Sequence, residues 1–502
     1  MNDLRIAAKR TALRCIDKLI EYNCMLDSAG ANGTARLYLF RKISREVLKM
    51  IEELMQLELS DDMRRTLVEL QSVFSNNSGE NDKVPALLAK LKRRFDELPA
   101  KYSVLFLPYK YSMWDSLGSI YEAAEKDPEC EAYVMPIPYY DKDNYGNMTE
   151  MYDESSLYPA SLSTISWKEH TADEINPDII FIHNPYDDGN LVPSIHPDYY
   201  TWKLVRDDRL VVYVPYYVSY TDDPDMRTSL GFAGIYADYV ITQSEWYRNE
   251  YERCLDKYRD MGDNTRVAVG YYDNGHKFAV LGNPKYDKVV TLTRKSYPLF
   301  DDWHDALFCG AGQRLTLLLD TTVELVLEQR GNIFEKINAV IDVVEENRDM
   351  ALIWRPHPLI KVIISEMAPE LEEMYRRTIE TCRELDNCIF DDTPDMHRAM
   401  AWSDCFFGKY GSMLELYRHT GKPAVMLDLG GTDSSVRDYD EGALSGKVHA
   451  GEVLREEELG MGTVLEFCRE YQYVPADFEQ KETFGERIYK FSKEALVRKI
   501  SK

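Results

Sequence analysis

The feature that most constrains the fold of this chain is a series of short, continuously apolar runs with helix-like segments between them. A strand that is apolar on both sides is covered by helices on both faces, which is typical of a parallel sheet. The first series of such runs is "SVLFLPY" (103–109), "AYVMPIPYY" (132–140), "DIIFIHNPYD" (178–187), "RLVVYVPYYV" (209–218), "YVITQS" (239–244) and "FAVLGNP" (278–284).

A second series of the same kind begins near residue 314. Its runs are "RLTLLLDTT" (314–322), "MALIWRPHP" (350–358), "NCIFDDT" (387–393), "CFFGKYGS" (405–412) and "PAVMLD" (423–428). Two series of similar size predict an α/β protein in which two doubly wound, Rossmann-like domains face each other across a cleft. We place the first domain at 101–300 and the second at 301–502, and we assign the closing helix "FGERIYKFSKEALVRKI" to the second.

Residues 1–100 differ from the rest of the chain. Segments such as "AKRTALRCIDKLIEYNCML" carry apolar residues at helical spacing, so this part is predicted to be a helical segment. It holds 17 lysines and arginines against 15 acidic residues, whereas the whole chain has a net charge of −26. Charged residues on helices usually form a solvated face, so we expect the apolar stripes to pack into a bundle or a homo-oligomer. The alternative is a peripheral membrane contact through residues 1–98.

Composition excludes several classes of function. The net charge of −26 argues against nucleic acid as a partner, because binding phosphates requires clustered basic residues. No apolar stretch reaches 18 residues and the start lacks a signal-peptide core, so we expect a cytoplasmic protein; a peripheral contact through residues 1–98 would place it on the inner face of the membrane. The nine cysteines are scattered without zinc-like spacing, which predicts reduced thiols and no metal site.

The segment "ALIWRPHPLI" (351–360) ends a buried strand with Arg355 and His357. Each precedes a proline, so both are predicted to be extended and to point to the same side. A guanidinium and an imidazole at the carboxyl end of a parallel strand suit a phosphate group. The alternative is a turn in which Arg355 pairs with a local acid and His357 caps a carbonyl.

The segment "GKYGSMLELY" (408–417) predicts a strand, a glycine-containing turn and a helix that starts near Ser412. Free N–H groups at Gly411, Ser412 and Met413, with the charge of Lys409, would bind an anion. Ser412 and Glu415 also match a capping box, which requires no ligand. We leave Glu415 open between a helix cap and a ribose contact.

The loop "GNPKYDK" (282–288) also follows a strand. Gly282 lets the backbone approach a neighbour closely, and Asn283 follows it as a second candidate contact to the donor. The alternative is that this loop is an ordinary turn with a structural role.

Taken together and in this order, these segments resemble the CDP-glycerol:poly(glycerophosphate) glycerophosphotransferase family of teichoic-acid assembly. The resemblance covers about residues 103–430 and rests on "GNPKYDKV", "LIWRPHPLI" and "DDTPDMHRAMAWSDCFFGKYGSMLELYRHTGKPAVMLD". It implies a GT-B architecture and transfer of a polyol phosphate from a CDP-activated donor to an acceptor hydroxyl, with release of CMP and no further cofactor. The partners it implies are the nucleotide-activated donor and an envelope polymer or lipid-linked acceptor.

Two departures from the family pattern concern the chemistry. The family's Trp-His-Gly-Thr-like motif, with its presumed base, is replaced by Pro215, Tyr216 and Tyr217. His183, which ends the strand one unit earlier, is the replacement base we predict, with Tyr216 and Asp187 as lesser candidates and His357 as the second catalytic residue. The family's Thr-Asp-Tyr-Ser-Ser turn reads Gly-Lys-Tyr-Gly-Ser at 408–412, so a lysine stands in place of an acid.

Two alternative functions follow from these departures. A nucleotide-sugar glycosyltransferase fits the same scaffold, because the fold does not fix the chemistry. A nucleotide-binding scaffold protein that does not turn over its ligand is favoured by the missing motif.

Overall fold

Two parallel sheets form the framework of this protein. The computed structural model describes residues 4–28, 33–75, 83–143, 145–187, 189, 193–218, 227–260, 277–310, 312–393, 395–409, 411–426, 453–455 and 482–500. Within them, the predicted architecture of two Rossmann-like domains is confirmed by the order and direction of the strands.

The first sheet has seven strands, all parallel. Ala100–Leu107 pairs with three strands, Leu4–Arg5, Cys130–Val134 and Ile179–Ile182. The sheet then continues through Leu210–Tyr213, Tyr239–Thr242 and Phe278–Val280. The strands Ile179–Ile182, Leu210–Tyr213 and Tyr239–Thr242 are buried along their whole length, as their continuous apolar sequence predicts.

The second sheet has six strands, again all parallel, with Leu315–Thr321 near its centre. Its order is Cys388–Phe390, Met350–Pro356, Leu315–Thr321, Cys405–Gly408, Ala424–Met426 and Val453–Arg455. Its helices are Val323–Gln329, Gly331–Glu346, Ile360–Met367, Glu372–Glu384, Met396–Trp402 and Ser412–Arg418. Helices cover both faces, because separate clusters of buried apolar residues lie on the two sides of this sheet.

One predicted strand is wrong in its extent. The run 132–140 was expected to be a single strand, but the parallel strand ends at Val134. Pro136 and Pro138 follow, and proline has no N–H to donate to a neighbouring strand. The chain then enters a small antiparallel sheet made of Tyr139–Lys142, Met148–Tyr152 and Ser194–Ile195.

The N-terminal segment is helical, as the apolar spacing predicts. Its helices pack around a core of their own that includes Ile16, Val47, Leu67 and Leu88. The segment is also tied to the first sheet, because the Asp178 carboxylate accepts a hydrogen bond from the Ala7 N–H at 3.0 Å. The four helices of this segment are Ile6–Ser28, Gly33–Met55, Asp61–Ser75 and Val84–Glu97.

The C-terminal helix Phe484–Ile500 packs on the first sheet and not on the second, to which its position in the chain assigned it. Its apolar residues, among them Ile488 and Leu496, join the core beneath that sheet. The Lys499 ammonium lies 2.7 Å from the carboxylate of Asp238, at the start of a strand of that sheet. The last helix therefore carries the chain back to the first domain.

The remaining helices connect the strands of the first domain or link the two domains. None of the described helices is both long enough and apolar enough to cross a membrane. The remaining helices are Gly118–Lys126, Ala172–Ile175, Thr201–Leu204, Arg227–Tyr236, Glu245–Asp260, Lys285–Val290 and Asp301–Leu307.

Candidate functional site

The carboxyl ends of the two sheets meet. Asp115 lies in the turn that follows the strand Ala100–Leu107 of the first sheet, and His397 lies in the helix that follows Cys388–Phe390 of the second. The Asp115 Oδ2 and His397 Nε2 atoms are 3.3 Å apart and both side chains are buried. In open parallel sheets ligands bind beyond the carboxyl ends of the strands, so this junction marks the floor of the cleft.

Asp115 is the centre of a buried polar junction between the domains. The Lys285 Nζ atom, from the helix that links them, lies 2.6 Å from Asp115 Oδ1. Burial alone would raise the pKa of Asp115, but the charges of Lys285 and His397 outweigh it and hold that pKa well below its usual range. On the other side of the imidazole, His397 Nδ1 lies 3.0 Å from Asp395 Oδ1, and this contact with Lys288 nearby lowers the pKa of Asp395 to about 2 against the effect of burial.

Lys110 and His357 follow strands of different sheets, and the charge of Lys110 reaches the His357 ring. Lys110 follows the first-sheet strand Ala100–Leu107, and His357 follows the second-sheet strand Met350–Pro356. His357 is exposed to solvent, but the surrounding protein atoms desolvate its ring and lower its pKa. The charges of Arg355 and Lys110 lower this pKa further. The Lys110 ammonium lies 4.8 Å from the centre of the Tyr139 ring.

Both groups can still donate hydrogen bonds to a ligand. Within the described part of the chain, the Lys110 ammonium makes no ion pair or hydrogen bond. Burial lowers its pKa, while Glu154 and Asp141 act in the opposite direction. The Nδ1 atom of His357 accepts a hydrogen bond from the Leu359 N–H at 3.2 Å, so the neutral ring carries its proton on Nε2. An ammonium and an imidazole N–H that converge in a cleft fit an anionic group such as a phosphate.

The sequence predicts that Arg355 points into the cleft beside His357, but in the structure it does not. Its guanidinium is buried, lies 2.5 Å from Asp391 Oδ2 and donates at 2.7 Å to the carbonyl of Thr393. The alternative of a pair with a local acid is therefore the observed arrangement for Arg355. His357 caps a backbone N–H but keeps an exposed ring.

A row of polar residues crosses the second sheet at the carboxyl ends of its strands. Arg355 lies directly opposite Asp320 on the central strand. On one side of Arg355, Asp391 directly follows Phe390, the residue that pairs with Trp354. On the other side of Asp320, Gly408 ends the strand Cys405–Gly408. Burial raises the pKa of Asp320 to about 7, and Arg355 and the Thr321 N–H offset only part of that effect.

Lys409 is already paired. Its ammonium lies 2.9 Å from Glu324 and 3.1 Å from Glu328, both on the helix Val323–Gln329. The role of Lys409 as a phosphate ligand would require it to leave two carboxylates, so this geometry does not favour the predicted contact.

The helix after this turn begins at Ser412, as expected, but not through a capping box. Gly411 is the N-cap residue, in an extended conformation, and no side chain caps the helix. Glu415 is buried and lies 3.3 Å from the Arg418 guanidinium, so the predicted cap is not formed, and its ribose contact stays a prediction. The N–H groups at Ser412 and Met413 belong to a helix of seven residues, and their role as anion ligands stays a prediction.

His183, the predicted base, is enclosed in the core of the first domain. Its Nε2 atom accepts a hydrogen bond from the Tyr109 N–H at 3.2 Å, and its Nδ1 atom lies 3.0 Å from the hydroxyl of Ser116. Burial lowers the pKa of His183 to about 3. The ring is thus neutral with both nitrogens engaged, which is the arrangement of a structural histidine and not of a base that meets a substrate.

The two lesser candidates are held in a similar way. Both oxygens of the Asp187 carboxylate accept from Thr201, at 2.9 Å from its N–H and at 3.0 Å from its hydroxyl. Tyr216 contacts the rings of His183 and Tyr217 edge to face, and burial raises its pKa. Neither geometry favours a base.

Gly282 and Asn283 have structural partners. Gly282 has a φ of 90°, and a Cβ atom there would lie 2.2 Å from the ring of Phe484, so the predicted close approach is to the C-terminal helix. The Asn283 amide donates to the carbonyl of Tyr217 at 3.0 Å and accepts from the Lys285 N–H at 3.0 Å. Both residues fix the path of the chain between the domains.

Sequence reasoning missed the residues that the structure brings to the cleft. Lys110 stands in "FLPYKYSMWD" and Asp320 in "RLTLLLDTT", both immediately at the end of a buried strand. The rule that selected Arg355 and His357 would also have found them, because an ionisable residue at the carboxyl end of an apolar run is the same signal. Among the described residues, no group of three or more potential metal ligands lies close enough to hold an ion.

The framework defined by this fold is a pair of doubly wound domains with one shared cleft. No family model and no curated protein matches the chain. Among solved structures, it is similar to UDP-GlcNAc 2-epimerase from Methanocaldococcus jannaschii, with 14% identity over 78% of this chain and 99% of that one and a TM-score of 0.47. It is also similar to the wall teichoic acid polymerase TagF, with 13% identity over 88% of this chain and 98% of that one and a TM-score of 0.42.

Proposed function

We propose that this protein is a transferase that moves a polyol-phosphate group from a CDP-activated donor to an acceptor hydroxyl in the synthesis of a cell-envelope polymer. The observation that carries the proposal is that Lys110 follows a strand of the first sheet and His357 a strand of the second, with the charge of Lys110 reaching His357 and each side chain keeping a hydrogen-bond donor that the described residues leave available. The donor diphosphate is the anionic group that these two donors would bind.

The two-domain arrangement supports a transfer reaction, because a donor can be bound between the domains. A donor held by His357 at the second sheet and by Lys110 at the first would bridge the two domains. Transfer to a hydroxyl requires alignment of the acceptor with the donor phosphorus and stabilisation of the charge on the departing CMP. The choice of a cytidine donor rests on the resemblance of residues 103–430 to the glycerophosphotransferases.

The test is to measure binding and turnover separately. Thermal shift with CDP, CDP-glycerol and a UDP-sugar identifies the donor class, because a bound ligand stabilises the folded state. Release of CMP from CDP-glycerol, with excess glycerol as acceptor hydroxyl, measures transfer. We expect stabilisation by CDP, and a Kd that rises about 10- to 100-fold in Lys110→Ala and His357→Ala, the effect of one lost hydrogen bond to a charged group.

A matched control removes a lysine elsewhere. Lys295 is exposed in the turn Arg294–Ser296, so Lys295→Ala should leave the Kd for CDP unchanged. Stabilisation by the UDP-sugar alone would replace this proposal by a nucleotide-sugar glycosyltransferase. A Kd that is the same in all three variants would remove Lys110 and His357 from the site.

A second candidate function is nucleotide binding without turnover. The enclosed ring of His183 and the paired side chains of Arg355 and Lys409 favour it, because three of the predicted site residues are engaged inside the protein. Binding of CDP by the wild-type protein without any release of CMP from CDP-glycerol is the result that this function predicts.

A further inference from the structure

The loop of the first domain that carries Lys110 also carries a residue that joins the two domains. Lys110 directly precedes the turn Tyr111–Ser116, and Asp115 lies within that turn. The turn is tied together by hydrogen bonds, because the Lys110 carbonyl accepts from the Met113 N–H at 3.1 Å and the Met113 carbonyl accepts from the Ser116 hydroxyl at 2.8 Å. A shift of Asp115 therefore moves Lys110 with it.

In the second domain, Arg355 connects the strand that leads to His357 with the loop that leads to His397. Arg355 lies two residues before His357 and donates a hydrogen bond to the carbonyl of Thr393 at 2.7 Å. His397 follows that loop, in the first turn of the helix Met396–Trp402. The positions of His357 and His397 are therefore linked through the guanidinium of Arg355.

Asp115 and His397 meet across the boundary between the domains. Their Oδ2 and Nε2 atoms are 3.3 Å apart, and only 2% and 4% of the two side chains are exposed. Neither atom has a hydrogen-bond partner of good geometry among the described residues, whereas the other oxygen of Asp115 lies 2.6 Å from Lys285. The imidazole is also held on its own side, since its Nδ1 atom lies 3.0 Å from Asp395 Oδ1. The longer ion pair is thus the contact of this set that a relative movement of the domains can open.

We propose that the ion pair of Asp115 and His397 is a positioning element for the nucleotide-activated donor, an inference that rests on the proposed function. The pair fixes the loop of Lys110 relative to the strand end of His357, so that both side chains can reach one anionic group. A protein that holds this arrangement in advance loses less affinity to the alignment of its domains on binding. Asp115 and His397 are buried and act through Lys110 and His357, not by contact with the donor.

The test is a double-mutant cycle on the Kd for CDP in the full-length protein. His397→Phe removes the ion pair and keeps a ring of similar shape, while Asp115 keeps its contact with Lys285. We expect the Kd to rise about 10-fold, which corresponds to a binding-competent arrangement populated about a tenth of the time. In the Lys110→Ala background the same substitution should raise the Kd less than about twofold, because one of the two groups that the ion pair positions is already gone.

Two further variants separate positioning from a loss of structure. Lys499→Met breaks a buried ion pair with Asp238, at the amino end of the first sheet, so it should leave the Kd for CDP unchanged. His397→Gln restores an N–H donor beside Asp115 without a charge, so its Kd should lie between those of the wild type and of His397→Phe. The glutamine variant also completes the cycle if His397→Phe does not fold, and urea unfolding measures the stability of each variant.

The outcomes separate this inference from the function on which it rests. An equal rise of the Kd in the wild-type and Lys110→Ala backgrounds shows a general structural role of the ion pair and overturns the inference. An unchanged Kd in His397→Phe, when Lys110→Ala and His357→Ala each raise it, overturns the inference as well. A wild-type protein that binds CDP but releases no CMP overturns the transferase function, while the cycle on the Kd still tests the ion pair. A wild-type protein that does not bind CDP overturns both.

Discussion

The carboxyl ends of the two sheets differ in chemistry, although the sheets share one topology. At the first sheet the strand Ile179–Ile182 ends in a neutral group, the ring of His183 between the Tyr109 N–H and the Ser116 hydroxyl, and the charged Asp115 after the strand Ala100–Leu107 is paired with Lys285. At the second sheet two buried carboxylates, Asp391 and Asp320, flank the single guanidinium of Arg355.

A recess at the first sheet extends this neutral character. The residues that line it include no charged side chain; they are Val214, Pro215, Tyr217, Ile241, Thr242, Gln243, Tyr247, Tyr251, Gly282, Asn283 and Pro284. Its free volume is about 10 Å³, which is too small for a polyol, so the recess belongs to the packing of the first sheet.

The largest effect should come from breaking the charged row. Arg355→Met removes the only guanidinium between Asp391 and Asp320 and leaves buried carboxylates without compensation, so we expect a loss of about 3–5 kcal/mol in the free energy of unfolding. Urea unfolding measures it. The control is Arg376→Met, at an exposed arginine paired with Glu373 and Glu380, which should lower the free energy of unfolding far less because water screens exposed ion pairs. Equal effects of the two substitutions would show that the buried row does not stabilise the second domain.

The next effect is a dependence of stability on pH that has opposite signs at the two sheets. His183 has a lowered pKa, so the unfolded chain binds a proton that the folded protein excludes, and stability should fall as the pH drops below about 6.5 towards 3. Asp320 has a raised pKa, so the folded protein holds a proton that the unfolded chain releases, and stability should fall as the pH rises from about 4 to 7. Each slope approaches about 1.4 kcal/mol per pH unit.

Single variants separate the two slopes. Measured as Tm between pH 4 and pH 9, His183→Gln should lose the acid-side slope, and Asp320→Asn should lose the opposite one and be more stable than the wild type above pH 7. A wild-type curve that neither substitution alters would contradict the contrast between a neutral and a charged strand end.

The sequence predicted the sheets better than it predicted their strand-end contacts. Continuous apolar runs identify buried parallel strands because each strand is covered on both faces, and this property is local. The partner of Arg355 is not local, since Asp391 is 36 residues away and meets it only through the register of two strands. His183 was misjudged for the same reason, because the groups that enclose it, Tyr109 and Ser116, lie about 70 residues earlier.

The C-terminal helix shows why the sequence does not assign every element to the correct domain. Its amphipathic pattern predicts a helix, but which sheet it covers depends on the partners of its apolar face, among them Ile488 and Leu496, which lie in the core of the first sheet. The acid in the apolar run 314–322 was visible in the sequence. The sequence does not show that Arg355 donates its hydrogen bond to Asp391 and not to this acid, because that depends on the positions of the two carboxylates in the fold.

The smallest effect should come from a neutral contact at the first sheet. The hydroxyls of Tyr217 and Tyr251 are 2.7 Å apart, and the ring of Tyr251 is fully buried. Tyr217→Phe leaves the Tyr251 hydroxyl without this partner, so we expect a loss of about 1 kcal/mol in the free energy of unfolding, measured by urea unfolding, with no dependence on salt. Tyr38→Phe, at a tyrosine that is 72% exposed, is the control and should have no effect. A loss in Tyr217→Phe as large as that in Arg355→Met would mean that the neutral strand ends stabilise the protein as strongly as the charged row, and the division of the cleft into an uncharged and a charged side would then lack an energetic basis.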